Sequence, residues 1–352
     1  MDFTISAPTI QRAGALIING DSREVLRELP DTSVSAICVD PPYELDFTRQ
    51  TAKTWDATGV AFDTKLWREA LRVLKPGGNL AAFGASRTAH RLTAAIEDAG
   101  FEIRDQIMVW MYGQGMAKGT NVSRELAKYH PELAASALGY HSNLRPAYEP
   151  IVLARRPFTG TMSENWARWG TGGFNIDATR VPTTESRSRT PGDGPAATWL
   201  IQRGGAKNES HAAGRWTPNI VLVHRPDCDD QAQCATDCVV AEVRRQGLAT
   251  RGRGEDVTRF FPVFRYQPKA PKAERPIIDG AEHATVKPMG LIRWLLQLIT
   301  PAGGTVIDFF AGSGTTVEAA LELGFPVIAV ESDLDFIPLI LARVERAIAK
   351  ME

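Results

Sequence analysis

The chain has 352 residues with 40 Lys/Arg against 41 Asp/Glu, a net charge of −1, 43% hydrophobic residues and four cysteines. That length can bury a large core and predicts two or three domains. The few cysteines, the short apolar runs and the absence of a signal-peptide pattern argue against a disulfide framework and a membrane span, leaving a cytoplasmic globular protein as the expectation.

In chain order, Leu16-Ile17-Ile18 predicts a short strand, and Asn19-Gly20-Asp21-Ser22 the turn into a helix over 23–29 that Pro30-Asp31 ends. Asp21 or Ser22 suits the helix cap; the alternative for Asp21 is a contact to the purine amine of a cofactor. Residues 35–39 (Ser-Ala-Ile-Cys-Val) are apolar and β-leaning, the pattern of a strand buried on both faces, and run into Asp40-Pro41-Pro42-Tyr43. The prolines stop the strand and fix two φ angles. A carboxylate and a ring are thereby held at the carboxyl end of a buried strand, where open α/β sheets bind ligands.

Helical spacing over 62–74 ends at Lys75-Pro76-Gly77-Gly78; a strand follows over 80–83, a helix over 88–98 and an apolar, β-leaning run over 103–111. This βαβα alternation predicts a mostly parallel sheet with helices on both faces. Residues 112–148 read as an excursion with a helix over 122–128. A strand over 150–154 is placed to pair with 103–111 at a sheet edge.

From Pro157 the periodicity fades. Residues 157–275 are rich in Gly, Pro, Arg and Thr and predict an irregular inserted domain with short strands over 219–223 and 260–266. Residues 151–276 hold 19 Lys/Arg and 13 Asp/Glu, the remainder 21 and 28. The basic middle reads either as a solvated, loop-rich surface or as a surface that meets phosphates. Arg180, Arg187, Arg189, Arg203, Arg215, Arg251 and Arg253 are its candidates for phosphate or base-edge contacts, each read otherwise as a solvated surface arginine, and Trp166, Trp169, Trp199 and Trp216 read as core anchors ahead of base-stacking residues. His224, Cys228, Cys234 and Cys238 have the ligand types and density of a structural zinc site; the alternative is a reduced loop with three free thiols. Cys38 reads as a small core residue.

The last 77 residues are regular again: a helix over 288–299, a Pro-Ala-Gly-Gly turn, a strand ending at Asp308, a glycine loop over 310–314, a helix over 315–323, a strand ending at Glu331 and a last helix over 336–348. Strand, G-x-G loop, helix, strand and acid make half of a nucleoside-binding unit, with Glu331 placed for ribose hydroxyls. The loop lacks the Lys of a phosphate-binding Walker loop, and Val317 stands where a dinucleotide fingerprint prefers Gly or Ala.

Asp40-Pro41-Pro42-Tyr43 and the run from Asp308 through Phe310, Gly312, Gly314 and Thr315 to Thr316 resemble the catalytic motif and the S-adenosylmethionine loop of the DNA amino methyltransferases. Most relatives carry Pro at position 309, where this chain has Phe, which bears on the local turn geometry. His283-Ala284-Thr285-Val286-Lys287-Pro288 is similar to the family's segment before the cofactor loop, whose Lys-Pro turn lies near the methionine part; alone, Lys287 reads equally as a surface lysine before a Pro-started helix. The motif order, catalytic strand first and cofactor loop last, resembles the beta arrangement of the family.

The resemblance implies a Rossmann-like catalytic domain split into 1–156 and 276–352, with 157–275 as the target-recognition domain. It implies Asp40, Pro41, Pro42 and Tyr43 as catalytic residues, and Asp21, Lys287, Asp308, Phe310, Gly312, Gly314, Thr315 and Glu331 as cofactor contacts. It also implies S-adenosylmethionine as methyl donor, double-stranded DNA as partner, and adenine N6 ahead of cytosine N4 because position 40 is Asp rather than Ser. It further predicts that the strands ending near Asp40 and Asp308 are neighbours. A homodimer and a partner nuclease are left open, and the alternative outside enzyme function is a non-catalytic DNA-binding relative on the same scaffold.

Overall fold

The computed structural model describes residues 4–45, 55–104, 108–111, 119–183, 211–224, 228, 234, 238–250, 257–264 and 286–351. A hairpin of β1 (Thr9–Arg12) and β2 (Ala15–Asn19) leads into α1 (Ser22–Glu28) and β3 (Val34–Val39). α2 (Thr64–Val73), β4 (Leu74–Phe83), α3 (Ala89–Asp98) and β5 (Glu102–Ile103) follow, then β6 (Met108–Met111), α4 (Val122–Tyr129) and β7 (Tyr148–Arg155). The middle of the chain contributes α5 (Met162–Trp169), α6 (Ile176–Thr179), β8 (Ile220–Val223), α7 (Val239–Thr250) and β9 (Val263–Phe264). The last part contributes α8 (Met289–Ile299), β10 (Val306–Asp308), α9 (Thr315–Glu322), β11 (Val327–Glu331) and α10 (Ile337–Met351).

One mixed sheet carries these strands in the order β1-β2-β11-β10-β3-β4-β7-β6-β8-β9, with β5 also on β7. The five strands from β2 to β4 are parallel, so their carboxyl ends share an edge. β10 is the neighbour of β3, with Val306 opposite Ala36 and Ile307 opposite Ile37. Each of the five parallel strands is largely buried on both faces, and the pleat sends alternate residues to two cores. Ala36, Cys38, Val306 and Ala329 meet Leu295 of α8, Val317 of α9 and Ile340 of α10. Ile37, Val39, Ile307 and Val330 meet Val25 and Leu26 of α1 and Leu66 and Trp67 of α2. Phe309 is fully buried in this second core, its ring 5.7 Å from that of Trp67. Among the described residues no helix is long and apolar enough to cross a membrane.

Several expectations change. Lys75-Pro76-Gly77-Gly78 does end α2, but it lies within β4 as a bulge: Val34 pairs with Leu74 while Ala36 pairs with Asn79. Gly77 supplies the positive φ of +79° that the bulge needs. The apolar run 103–111 is two strands rather than one. β6 does pair with β7, but it is not an edge, because β8 joins it in parallel and β9 joins β8. The described strands of the 157–275 segment thus extend the main sheet rather than forming a sheet of their own. The open backbone of β6 offers hydrogen bonds, and Phe264 stacks edge-on against Trp294 of α8, 6.1 Å away. α5 is likewise attached to β4, through Asn165 Nδ2 donating to the Pro76 carbonyl at 3.1 Å. Trp166 and Trp216 are not core anchors, being 52% and 67% exposed. Trp169 lies at the end of α5 beside Arg168, and Trp199 falls outside the described residues.

The helix that follows the glycine loop is held by a buried charge cluster. Glu318 of α9 and Arg343 of α10 are fully buried and 2.7 Å apart, and Arg346 Nε and Lys350 Nζ reach the other carboxylate oxygen at 2.7 and 3.0 Å. Burial pushes the Glu318 carboxyl up, but the hydrogen bonds of Arg346 and Lys350 and the charge of Arg343 outweigh it and hold it down at about 2. Glu318→Ala leaves the fully buried Arg343 without its carboxylate, so urea unfolding should report a loss of about 3–5 kcal/mol. In the native protein the contribution should be complete above the ordinary Glu value of about 4.3 and vanish as pH falls through about 2.

Candidate active site

Because β2, β11, β10 and β3 are parallel and adjacent, the turns after them line one edge of the sheet. Asp40 lies one residue past β3, Asp308 ends β10, Glu331 ends β11 and Asp21 follows β2. β7 runs the other way and delivers Glu149, its second residue, to the same edge, since Tyr148 pairs with Met111 and Ile151 with Phe83. Sequence reasoning missed Glu149: one acid before a proline at a strand start carries no local signal.

Lys287, just before α8, is buried at the centre of this edge. Its Nζ donates to Asp40 Oδ2 at 2.5 Å and to the Tyr43 hydroxyl at 3.0 Å, and lies 3.6 Å from Glu149 Oε2. The surface-lysine reading is therefore excluded. Tyr43 donates its own hydroxyl hydrogen to Glu149 at 2.7 Å, which fixes the ring. The ammonium also lies 4.9 Å from the centre of the Phe83 ring and 5.1 Å from that of Tyr43. Burial alone would lower the Lys287 pKa, but Asp40 and Glu149 outweigh it and hold it above the ordinary value. Glu149 is raised by burial, only partly offset by Lys287. Asp40 Oδ1 is buried and accepts no hydrogen bond among the described residues.

The backbone after Tyr43 is tied down as well. Thr88 donates to the Tyr43 carbonyl at 2.9 Å, and Asp56 accepts from the backbone of Glu44 and Leu45 at 3.0 and 3.2 Å. Glu44 sits at φ +54°, a conformation such anchoring can stabilise.

On the glycine loop, Gly312 and Gly314 have φ of +51° and +82°. A Cβ on Gly314 would approach the Ile340 backbone to 3.0 Å, so both sterics and φ demand glycine there. Glu331 accepts from Gly312 N at 2.7 Å and Asp333 N at 2.8 Å, one bond per oxygen, which leaves each oxygen further acceptor capacity. Asp308 is buried and accepts from Phe310 N at 3.0 Å; burial first, then the neighbouring Asp40 and Glu331 charges, raise its carboxyl to about 7 against the hydrogen bonds it accepts. Thr315 opens α9 and is buried, and Phe310 is partly buried against the second core. Asp21 caps α1, accepting from Arg23 N at 2.8 Å, and its carboxylate also pairs with the Arg23 guanidinium.

The four metal-ligand candidates also converge. One ligand atom from each of His224, Cys228, Cys234 and Cys238 lies within 4.8 Å of the others. The arginines fare differently. Arg180 is paired with Asp177 at 2.8 Å, and Arg215 is buried with its guanidinium 4.6 Å from the centre of the Phe260 ring, so both serve packing here. Arg187, Arg189, Arg203, Arg251 and Arg253 lie outside the described residues, as do His283, Ala284 and Thr285.

A family model described as DNA methylase, of the N6/N4 type, matches residues 34–342, which takes in both motif loops and everything between them. The chain belongs to the N6/N4 family of DNA methylases. Type II methyltransferase M.HindIII of Haemophilus influenzae is 23% identical over 90% of this chain and 91% of its own. Among solved structures, the M1.HpyAVI–SAM complex (14% identity, TM-score 0.47) covers 94% of this chain and 98% of its own. The cytosine-N4-specific PvuII DNA methyltransferase (13%, TM-score 0.49) covers 95% and 90%.

In this methylase Lys287 is the cation shared by two carboxylates. Lys287→Met should therefore raise the Glu149 pKa further, by roughly one to three. Titration of the Glu149 carboxyl by 13C NMR checks this; an unmoved carboxyl would show that the ammonium does not set the charge balance.

Proposed function

We propose that this methylase transfers the methyl group of S-adenosylmethionine to N6 of adenine within a specific double-stranded DNA sequence. The observation that carries the reading is the buried Asp40 Oδ1, without a hydrogen-bond partner among the described residues, on a proline-stiffened turn beside the glycine loop. An exocyclic amine offers two N–H donors, and such an acceptor fits one of them; the Pro41 carbonyl would take the other.

The residues at the neighbouring turns suit the cofactor. Asp308, Asp40 and Glu331 concentrate negative charge on the edge, which favours a ligand carrying a sulfonium and an ammonium. Glu331 would hold the ribose hydroxyls, the turn at Phe310, Gly312, Gly314 and Thr315 would admit the nucleoside closely, and Asp21 would meet the purine amine alongside its capping role. When bound, S-adenosylmethionine supplies the electrophilic methyl.

Asp40 accepts a hydrogen bond that strengthens as positive charge develops on the attacking nitrogen, so it favours the transition state over the ground state. Lys287 holds the other carboxylate oxygen and keeps Oδ1 aimed. The target amine lies inside a duplex, so the base is extruded at a cost of a few kcal/mol. Tyr43, its hydroxyl anchored by Glu149 and Lys287, presents a ring for stacking, worth roughly 1–3 kcal/mol. Cytosine N4 is the second reading, because its amine makes the same demands on Asp40.

Asp40→Ala should lower methyl transfer by at least about 10²–10³-fold while leaving the cofactor dissociation constant within a few-fold. Undiminished turnover in a tritiated methyl-transfer assay would remove Asp40 from the reaction. Base-resolution mapping of DNA from expressing cells should find N6-methyladenine in one sequence context; N4-methylcytosine there would select the second reading. A cationic cofactor favours ionised Asp308, so binding should release a proton. Since this carboxyl sits at about 7 in the free protein, affinity should weaken as pH falls below that, by up to about tenfold per pH unit. Calorimetry in buffers of different ionisation enthalpy would detect the proton, and Asp308→Asn should flatten the dependence.

A further inference from the structure

We propose that His224, Cys228, Cys234 and Cys238 bind one structural zinc ion, which staples the carboxyl end of β8 to the start of α7 on the same sheet edge as Asp40.

The geometry is that of a mononuclear site. His224 Nδ1 lies 3.4 Å from Cys234 Sγ and 3.5 Å from Cys238 Sγ. Tetrahedral zinc, with bonds of about 2.3 Å to sulfur and about 2.0–2.1 Å to nitrogen, separates S from N by roughly 3.5 Å and S from S by roughly 3.8 Å. Four ligand atoms mutually within 4.8 Å enclose a space for one ion and are too close to surround a cluster of several irons. Hydrogen bonding alone is a poor account of three thiols converging on one imidazole, because S–H is a weak donor and a neutral ring nitrogen accepts only one hydrogen.

The surroundings fit a structural metal rather than a catalytic one. Cys228 and Cys238 are 4% and 0% exposed, and four protein ligands complete the coordination without water. Cys238 immediately precedes α7. The apolar support is thin: Leu222 and Val240 are the buried partners of the two cysteines in this satellite core, ringed by half-buried Met111, Val263 and Phe261. A twelve-residue helix on so small a core needs a further tie.

Position supplies the consequence. β8 is parallel to β6, β6 and β4 are each antiparallel to β7, and β4 is parallel to β3. His224 therefore emerges on the edge that carries Asp40, four strands away, or roughly 19 Å at about 4.8 Å per strand. That distance is within reach of the duplex flanking an extruded base. The metal thus orders a segment facing DNA while touching neither cofactor turn; this consequence, unlike the metal site itself, rests on the methyltransferase reading.

The test uses full-length, tag-free protein purified without chelators. Mass spectrometry of metals should find about one zinc per chain. Mercurial titration should release it as three thiols react, and exchange for Co(II) should give the intense visible bands of tetrahedral thiolate coordination. Cys234→Ser, at the least buried of the three sulfurs, should lose zinc and bind specific DNA about tenfold or more weakly, with cofactor affinity unchanged. Zinc far below stoichiometry with all thiols free in the native protein, a different resident metal, a disulfide among the three, or full zinc in the variant would each overturn the site. If the variant fails to fold, the metal content and cobalt spectrum of the wild-type chain still decide. A protein that holds zinc but transfers no methyl group would refute the proposed activity and leave the metal site standing; an active protein without zinc would do the reverse.

Discussion

The backbone ladder between β10 and β3 is the constraint on which the site depends. Parallel neighbours cannot be joined by a hairpin, and here the crossover between them is most of the chain. Both strands are buried on both faces, so a slip of one residue would exchange Ile37 and Ile307 with their neighbours between two different cores. Register is therefore locked, and with it the separation of the proline turn from the glycine turn. Two loops from opposite ends of the chain are held as if they were one.

That arrangement gathers negative charge. Parallel strands ending together bring Asp40, Asp308 and Glu331 to one edge, and the reversed strand β7 adds Glu149. Lys287 is the cation buried among them, hydrogen-bonded to Asp40 and Tyr43 and close to Glu149. Burial raises Glu149, Asp308 and Glu331 together, a cost to the free protein that a cationic ligand would relieve. The neighbouring helix pair shows the opposite balance: Glu318 is surrounded by Arg343, Arg346 and Lys350, and α9, which begins at the glycine loop, is anchored by that cluster rather than by its own eight residues. Stability in one place thus offsets strain in the other.

Much of this was legible beforehand because the informative residues are local. A strand that ends in two prolines, a helix that starts after two glycines and an acid that ends the next strand each announce themselves within a few positions. The Lys75–Gly78 run misled because a helix stop and a strand bulge use the same glycines; only the pairing of Val34 with Leu74 and Ala36 with Asn79 separates them. Trp166 and Trp216 misled because size and apolarity say nothing about whether a partner exists. Arg180 and Arg215 read as surface charges, yet both are spent on neighbours within the chain. The strands of the middle segment looked detached because the edge they join, β6, is set by residues remote in sequence.

The sequence by itself determined the alternating elements, the two motif turns and the four clustered ligand types, since each is written in residues within hydrogen-bonding or turn distance along the chain. Only the tertiary structure decided that Glu149 belongs with Asp40, Tyr43 and Lys287, that β8 and β9 continue the catalytic sheet, and that the His224–Cys238 group stands on the same edge. Those are juxtapositions across strands, and strand order is fixed by long-range pairing and core packing that no local pattern encodes.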